Sequence, residues 1–114
     1  MTPCAIYLRT SVEESRGEFS MVNDLDLCRA HAAARGYTIV GEFNDVRSTG
    51  TLDRPGLTAL RQALAAHQGG VMVIPREAAL APEEAGRRLV AEALAQERIS
   101  VEVARPLADR AAAA

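Results

Sequence analysis

Apolar and polar positions alternate between two periods along the chain, and the alternation is regular enough to predict its elements. Cys4 to Leu8 is a short apolar run that ends at Arg9-Thr10-Ser11. A run of this kind reads as a strand buried on both faces. Val12 to Ser20 is polar, is interrupted by Gly17, and reads as a mobile loop with a solvated charged surface. From Met21 the apolar positions Met21, Leu25, Cys28 and Ala32 recur at helical spacing. Ser20 or Asn23 serves as a cap, and Gly36 lies just past the end. Tyr37 to Phe43 is β-branched and aromatic, a second strand, and Asn44 to Pro55 is loop by composition. A second helix begins near Pro55, carries the stripe Leu57, Leu60 and Leu64, and ends at Gly69-Gly70. Val71 to Ile74 is a third strand, and Pro75 to Pro82 is a connection with room for one helical turn over Glu77 to Ala81. A third helix runs from about Pro82 to Arg98. Glu83 and Glu84 stand in its first turn and Arg98 in its last, as the helix dipole favours. Ile99, Val101 and Val103 then alternate with Ser100 and Glu102 as in a half-exposed strand.

The order β-α-β-α-β-α-β predicts an α/β fold: one three-layer domain with a mainly parallel four-stranded sheet, right-handed crossovers and helices on both faces. Residues 1–104 form that domain, and 105–114 form a short tail without pattern. A chain of 114 residues has room for one core. Its aromatic content of 4% leaves that core to Ala, Val, Leu and Ile. The 13 basic residues are all arginine and the formal net charge is −2, which speaks against a free-standing, non-specific nucleic-acid binder while leaving room for a local arginine patch. Cys4 and Cys28 fit no metal spacing and read as reduced core residues. With no stretch of membrane-spanning length and no signal-peptide pattern, the expectation is a soluble, cytoplasmic protein.

In a parallel sheet the carboxyl ends of the strands share one edge, where ligand sites form. That edge would gather Arg9 and Ser11, the loop Asp45 to Arg54, and Pro75-Arg76-Glu77. Arg9, Arg54 and Arg76, with Arg47 as a fourth, would surround one serine. A serine can attack phosphorus, and guanidinium groups match phosphodiester oxygens. Thr10 and Ser11 also fit the bland role of starting a polar loop. No glycine-rich phosphate loop with its lysine is present, which speaks against nucleotide hydrolysis. His31 and His67 fall on helices and read as surface residues, which weakens a Ser-His pair.

Several segments in series carry a resemblance: YLRTS, RAHAAARGYTIVGEFND, STGTLDRPGLTALRQAL and VMVI. Together they resemble the catalytic domain of serine recombinases, the resolvase/invertase family, and especially its large serine integrase form. The likeness spans roughly residues 4–104. Its most specific parts are the Tyr-x-Arg-x-Ser of the first strand and the Ser/Thr-Gly…Asp-Arg-Pro-Gly-Leu box. The resemblance implies that Ser11 matches the nucleophile that attacks DNA to leave a phosphoserine link. Arg9 matches an active-site arginine beside it. Arg54 matches a second, with Asp53 as a structural partner, and Arg9, Ser11 and Arg54 form a phosphate-binding set. It implies no metal and no cofactor.

Three departures temper it. The family's Asp-Arg-Leu-Ser-Arg segment aligns with Glu77-Ala78-Ala79-Leu80-Ala81, so both of its phosphate-holding arginines are alanine. The glutamine usual in the first helix aligns with Asp24, which would repel a phosphate. The chain also ends in PLADRAAAA, where the family continues into a long dimerising helix and a DNA-binding domain. The resulting expectation is a catalytically degenerate domain acting as a binding or regulatory module linked to DNA recombination. Its partners would be duplex DNA, held weakly by the chain alone, and another protein or a further copy of itself, with no membrane. The alternatives are an active recombinase subunit and a phosphate- or nucleotide-binding module.

Overall fold

A computed structural model describes residues 1–10, 18–46 and 54–106. The order is β1 (Pro3–Thr10), α1 (Glu18–Arg35), β2 (Thr38–Val46), α2 (Pro55–Ala65), β3 (Gly70–Ile74), a 3-10 turn (Glu77–Ala79), α3 (Glu84–Gln96) and β4 (Ile99–Val103). The four strands form one sheet in the order β2-β1-β3-β4, and every neighbouring pair is parallel. The α/β class, the four strands and the parallel pairing are those the sequence predicts.

β1 lies inside the sheet, and Cys4 to Leu8 are buried, as an apolar run without alternation requires. Alternate residues of β1 feed two cores. Ala5 and Tyr7 pack with Leu57, Leu60 and Leu64 of α2 and with Val90 and Leu94 of α3. Cys4, Ile6 and Leu8 pack with Cys28 and Ala32 of α1. The leucine stripe predicted for α2 is therefore the face that the helix buries. Both cysteines are free and buried, and burial pushes the thiols up to about 11 for Cys4 and about 12 for Cys28. At neutral pH they are protonated core residues.

Several boundaries move for identifiable reasons. β2 does not stop at Phe43: Asn44, Asp45 and Val46 continue the ladder opposite Leu8, Arg9 and Thr10. α1 begins at Glu18 instead of Met21, so only 12–17 of the expected loop remains, and it lies outside the described residues. α3 is shorter than 82–98. Glu83 is its N-cap and Arg98 stands beyond its end with φ 61°, so it does not occupy the last turn.

Arg98 in the left-handed region follows from the tight turn into β4. It faces the turn into β3, where a Cβ on Gly69 (φ 112°) would stand 2.4 Å from the Arg98 carbonyl oxygen. A non-glycine residue there carries a steric cost that glycine avoids. Arg98→Gly is therefore expected to raise the unfolding free energy by about 0.5–1 kcal/mol, read from the urea midpoint.

His31 is a correction. It is buried at 4% exposure and is no surface residue. Its Nε2 lies 2.7 Å from Glu102 Oε1, and its Nδ1 accepts the Arg105 backbone N–H at 3.3 Å, which places the proton on Nε2. The same Glu102 accepts the Tyr37 hydroxyl and pairs with Arg35 at 3.3 Å. His31 is thus a structural tie between α1 and β4. His67 is exposed, as expected.

Candidate phosphate-binding site

The carboxyl edge of the sheet is built around a buried carboxylate. Tyr7, at full burial inside β1, needs a partner for its hydroxyl, and it donates to Asp45 Oδ2 at 2.7 Å. Asp45 also accepts the first amides of α2, from Gly56 to Oδ1 at 2.7 Å and from Leu57 to Oδ2 at 2.9 Å. A carboxylate borrowed from β2 thus caps the helix, in the role usually played by the N-cap residue itself, and its charge suits the dipole. The close approach explains the glycine of the Asp-Arg-Pro-Gly box. A Cβ on Gly56 would stand 2.6 Å from the Asn44 carbonyl oxygen and 2.9 Å from Asp45 Oδ1.

Arg54 is the residue before this helix. It is extended (φ −125°, ψ 111°), it precedes Pro55, and it is buried to 6% exposure. Its Nη1 reaches the Ala79 carbonyl oxygen at 3.4 Å, so the 3-10 turn after β3 borders the guanidinium. Burial and the Asp45 contact push the Tyr7 phenol well above its ordinary range, and the Arg54 guanidinium beside it partly opposes them. Tyr7 therefore remains a neutral donor. Arg9 is buried to 8% exposure and stands opposite Asp45 in the ladder. Two guanidinium groups and one carboxylate are thus withdrawn from water at one strand edge, an arrangement tolerable only with mutual pairing and hydrogen bonds.

The structure brings Arg9 and Arg54 to this edge with Tyr7 and Asp45. Arg76 follows β3 at the same edge, but its guanidinium does not join this cluster, which corrects the expected ring of arginines. Arg76 is drawn to α1, where its Nη2 meets Asp24 Oδ1 at 2.7 Å. Asp24 thus has a cationic partner within the fold. Ser11, Arg47 and Asp53 lie outside the described residues. In the 3-10 turn Glu77 is exposed and Ala78 is half-buried, and Ala81, just beyond it, is buried. Among the described residues no cluster of His, Cys, Asp and Glu could hold a metal ion, and no helix is long and apolar enough to cross a membrane.

Sequence reasoning overlooked Asp45 as the organising group because it assigned Asn44 onward to a loop. The available signal was Tyr7, a phenol in an otherwise apolar buried strand, which requires a polar partner from a neighbouring element.

Comparison with known proteins places this edge in context. The family model "Resolvase, N terminal domain" matches residues 4–106. The chain is similar in structure to the C-terminal catalytic domain of ISC1926 TnpA, an IS607-like serine recombinase. The TM-score is 0.73 at 20% identity, over 97% of this chain and 76% of that one. It is similar to the N-terminal catalytic domain of TP901-1 integrase, with TM-score 0.71 at 18% identity over 89% and 75% of the two chains. It is also similar to a resolvase family site-specific recombinase from Streptococcus pneumoniae, with TM-score 0.73 at 14% identity over 91% and 72%. At these identities the structural likeness is one of fold, and no curated protein matches the sequence. The family match spans nearly the whole chain, and the protein belongs to the resolvase N-terminal domain family, a homologue of the catalytic domain of serine recombinases.

Proposed function

We propose that this domain keeps the anion pocket of a serine recombinase but serves recombination as a binding or regulatory module, without efficient strand cleavage. The observation that carries the reading is the segment bordering Arg54. Its carbonyl at Ala79 holds the guanidinium, yet the family's two arginine positions are Ala78 and Ala81. A pocket with Ser11, Arg9 and Arg54 can attract a phosphate. Without two further charges it does not hold that phosphate in line for attack by Ser11. Arg76 does not substitute, since Asp24 holds it on the α1 side.

A second reading, an active recombinase subunit, is favoured by the same buried Arg9 and Arg54 and by the presence of Ser11 in the Tyr-x-Arg-x-Ser motif. Both readings make DNA the ligand, and they differ in whether a covalent bond forms.

The net charge of −2 sets the binding expectation. The protein alone should bind duplex DNA with a dissociation constant on the order of 10⁻⁴–10⁻⁶ M, with little sequence preference and a steep loss as salt rises. Electrophoretic shift at low salt, repeated with Arg54→Gln, measures this. Tight, salt-resistant binding to one sequence by the protein alone would contradict it.

A further inference from the structure

At the carboxyl edge the side chain of Arg76 is drawn out of line. β3 runs in register with β1, Cys4 opposite Val71 and Ile6 opposite Val73. The same offset, carried three residues past that ladder, sets Arg76 level with Arg9. Side chains alternate between the two faces of a strand. Met72 and Ile74 join Tyr7 in the core under α2 and α3, so an extended Arg76 (φ −159°, ψ 157°) continues toward the face that holds Tyr7 and Arg54. Its guanidinium instead crosses to α1, which packs on the other face, and meets Asp24 Oδ1 at 2.7 Å.

The backbone beneath this side chain is fixed. The Arg76 carbonyl accepts the Ala79 N–H at 3.0 Å, and the Ala79 carbonyl in turn accepts from Arg54. The arm itself is 52% exposed, against 13% for Asp24, so the carboxylate is the anchor and the guanidinium the part that can leave. A half-exposed ion pair of this kind is weak and yields to salt. Carboxylate and phosphate offer a guanidinium the same paired oxygens, so one can replace the other. Neighbouring strands lie about 4.8 Å apart, and the phosphates of one DNA strand follow each other at about 3.4 Å along the helix axis. An arginine one strand over from Arg9 is therefore spaced for the next phosphate along the backbone. We propose that Arg76 is a second phosphate contact of this edge and that Asp24 is its competitor within the chain, so that DNA gains the contact only by displacing the carboxylate. The proposal rests on the reading that Arg9 and Arg54 receive a DNA phosphate. Asp24 lowers affinity twice, by occupying the arginine and by repelling the phosphate that would take its place.

Fluorescence anisotropy of a short duplex over a series of salt concentrations tests it. The full chain is compared with Asp24→Asn, with Asp24→Asn plus Arg76→Gln, and with Asp26→Asn. Asparagine keeps the shape of Asp24 and removes its charge. Asp26→Asn makes the same change of charge two residues on, at a carboxylate that is 66% exposed and paired with Arg29 at 3.8 Å. Asp24→Asn should bind about tenfold more tightly at low salt, with a log–log salt slope steeper by about 0.9. Adding Arg76→Gln should remove both gains, and Asp26→Asn should stay within about twofold of the wild type. If Asp24→Asn fails to fold, Asp24→Gln takes its place. A gain that Asp26→Asn equals, or that survives Arg76→Gln, is an effect of bulk charge and overturns the proposal; so does no gain at all. Arg54→Gln separates this outcome from the reading beneath it. If it weakens wild-type binding while Asp24→Asn gains nothing, only the Arg76 contact falls. If it leaves binding unchanged, or if no form binds the duplex, the phosphate reading falls and the proposal with it.

Discussion

Asp45→Ala should lower the unfolding free energy by about 3 kcal/mol or more, the largest loss expected of any single side chain at the carboxyl edge. The carboxylate accepts the Tyr7 hydroxyl and the Gly56 and Leu57 amides; its removal orphans all three donors, of which the Tyr7 hydroxyl and the Leu57 amide are buried and the Gly56 amide half-buried. Each orphaned donor costs about 1–3 kcal/mol, and the buried guanidinium groups at the same edge lose a compensating charge. Asp45→Asn keeps one acceptor oxygen but cannot serve three donors, and should cost about 1–2 kcal/mol. Tyr7→Phe removes a single hydrogen bond and leaves the cap intact, so about 1 kcal/mol is expected. Urea denaturation of the three variants should give that order. A loss below 1 kcal/mol for Asp45→Ala would mean that the cap is dispensable. Because Asp45 fixes the first turn of α2, and Arg54 immediately precedes it, the same substitution should also weaken anion binding.

The sheet was legible because its signals are local. An unbroken apolar run marks β1 as an interior strand, and the leucine stripe of α2 and the Cys28–Ala32 stripe of α1 mark the faces buried on either side. Arg9 and Arg54 were legible as neighbours at one edge because a strand end and the residue before a helical proline are places that this topology brings together. What escaped depends on contacts distant in sequence. Tyr7 and Asp45 are 38 residues apart, and nothing near Asp45 shows that its charge caps a helix eleven residues on. Arg76 was placed by topology at the right edge, but its 52-residue reach to Asp24 decides which side it serves. His31 looked like a surface residue because its partner, Glu102, lies on the last strand.

The carboxyl edge should respond to a restored charge at one of its two alanine positions and resist it at the other. Ala78 is half-buried on the turn that holds Arg54, so Ala78→Arg can present a guanidinium to a bound phosphate. One added charge-assisted contact is worth about 1.4 kcal/mol, roughly tenfold in affinity for a short duplex. The salt dependence should steepen by about 0.9 in log–log slope. Ala81 is buried, and a Cβ on Gly86 would stand 3.0 Å from its side chain. Ala81→Arg should therefore cost about 1–3 kcal/mol of stability through overpacking.

These positions bear on the central claim. Each preorganised charge missing from a phosphoryl-transfer transition state costs about 2.7–4 kcal/mol, on the order of a hundred- to thousandfold in rate. On the proposed reading both are absent, so Ser11 would have a phosphate to approach but no clamp to hold it in line. The most direct measurement is to incubate the protein with supercoiled and nicked DNA, denature it, and look for a covalent protein–DNA adduct, with Ser11→Ala as the control. No denaturant-stable adduct is expected from the wild-type protein. An adduct that forms with the wild-type protein and disappears with Ser11→Ala would contradict it and establish an active recombinase.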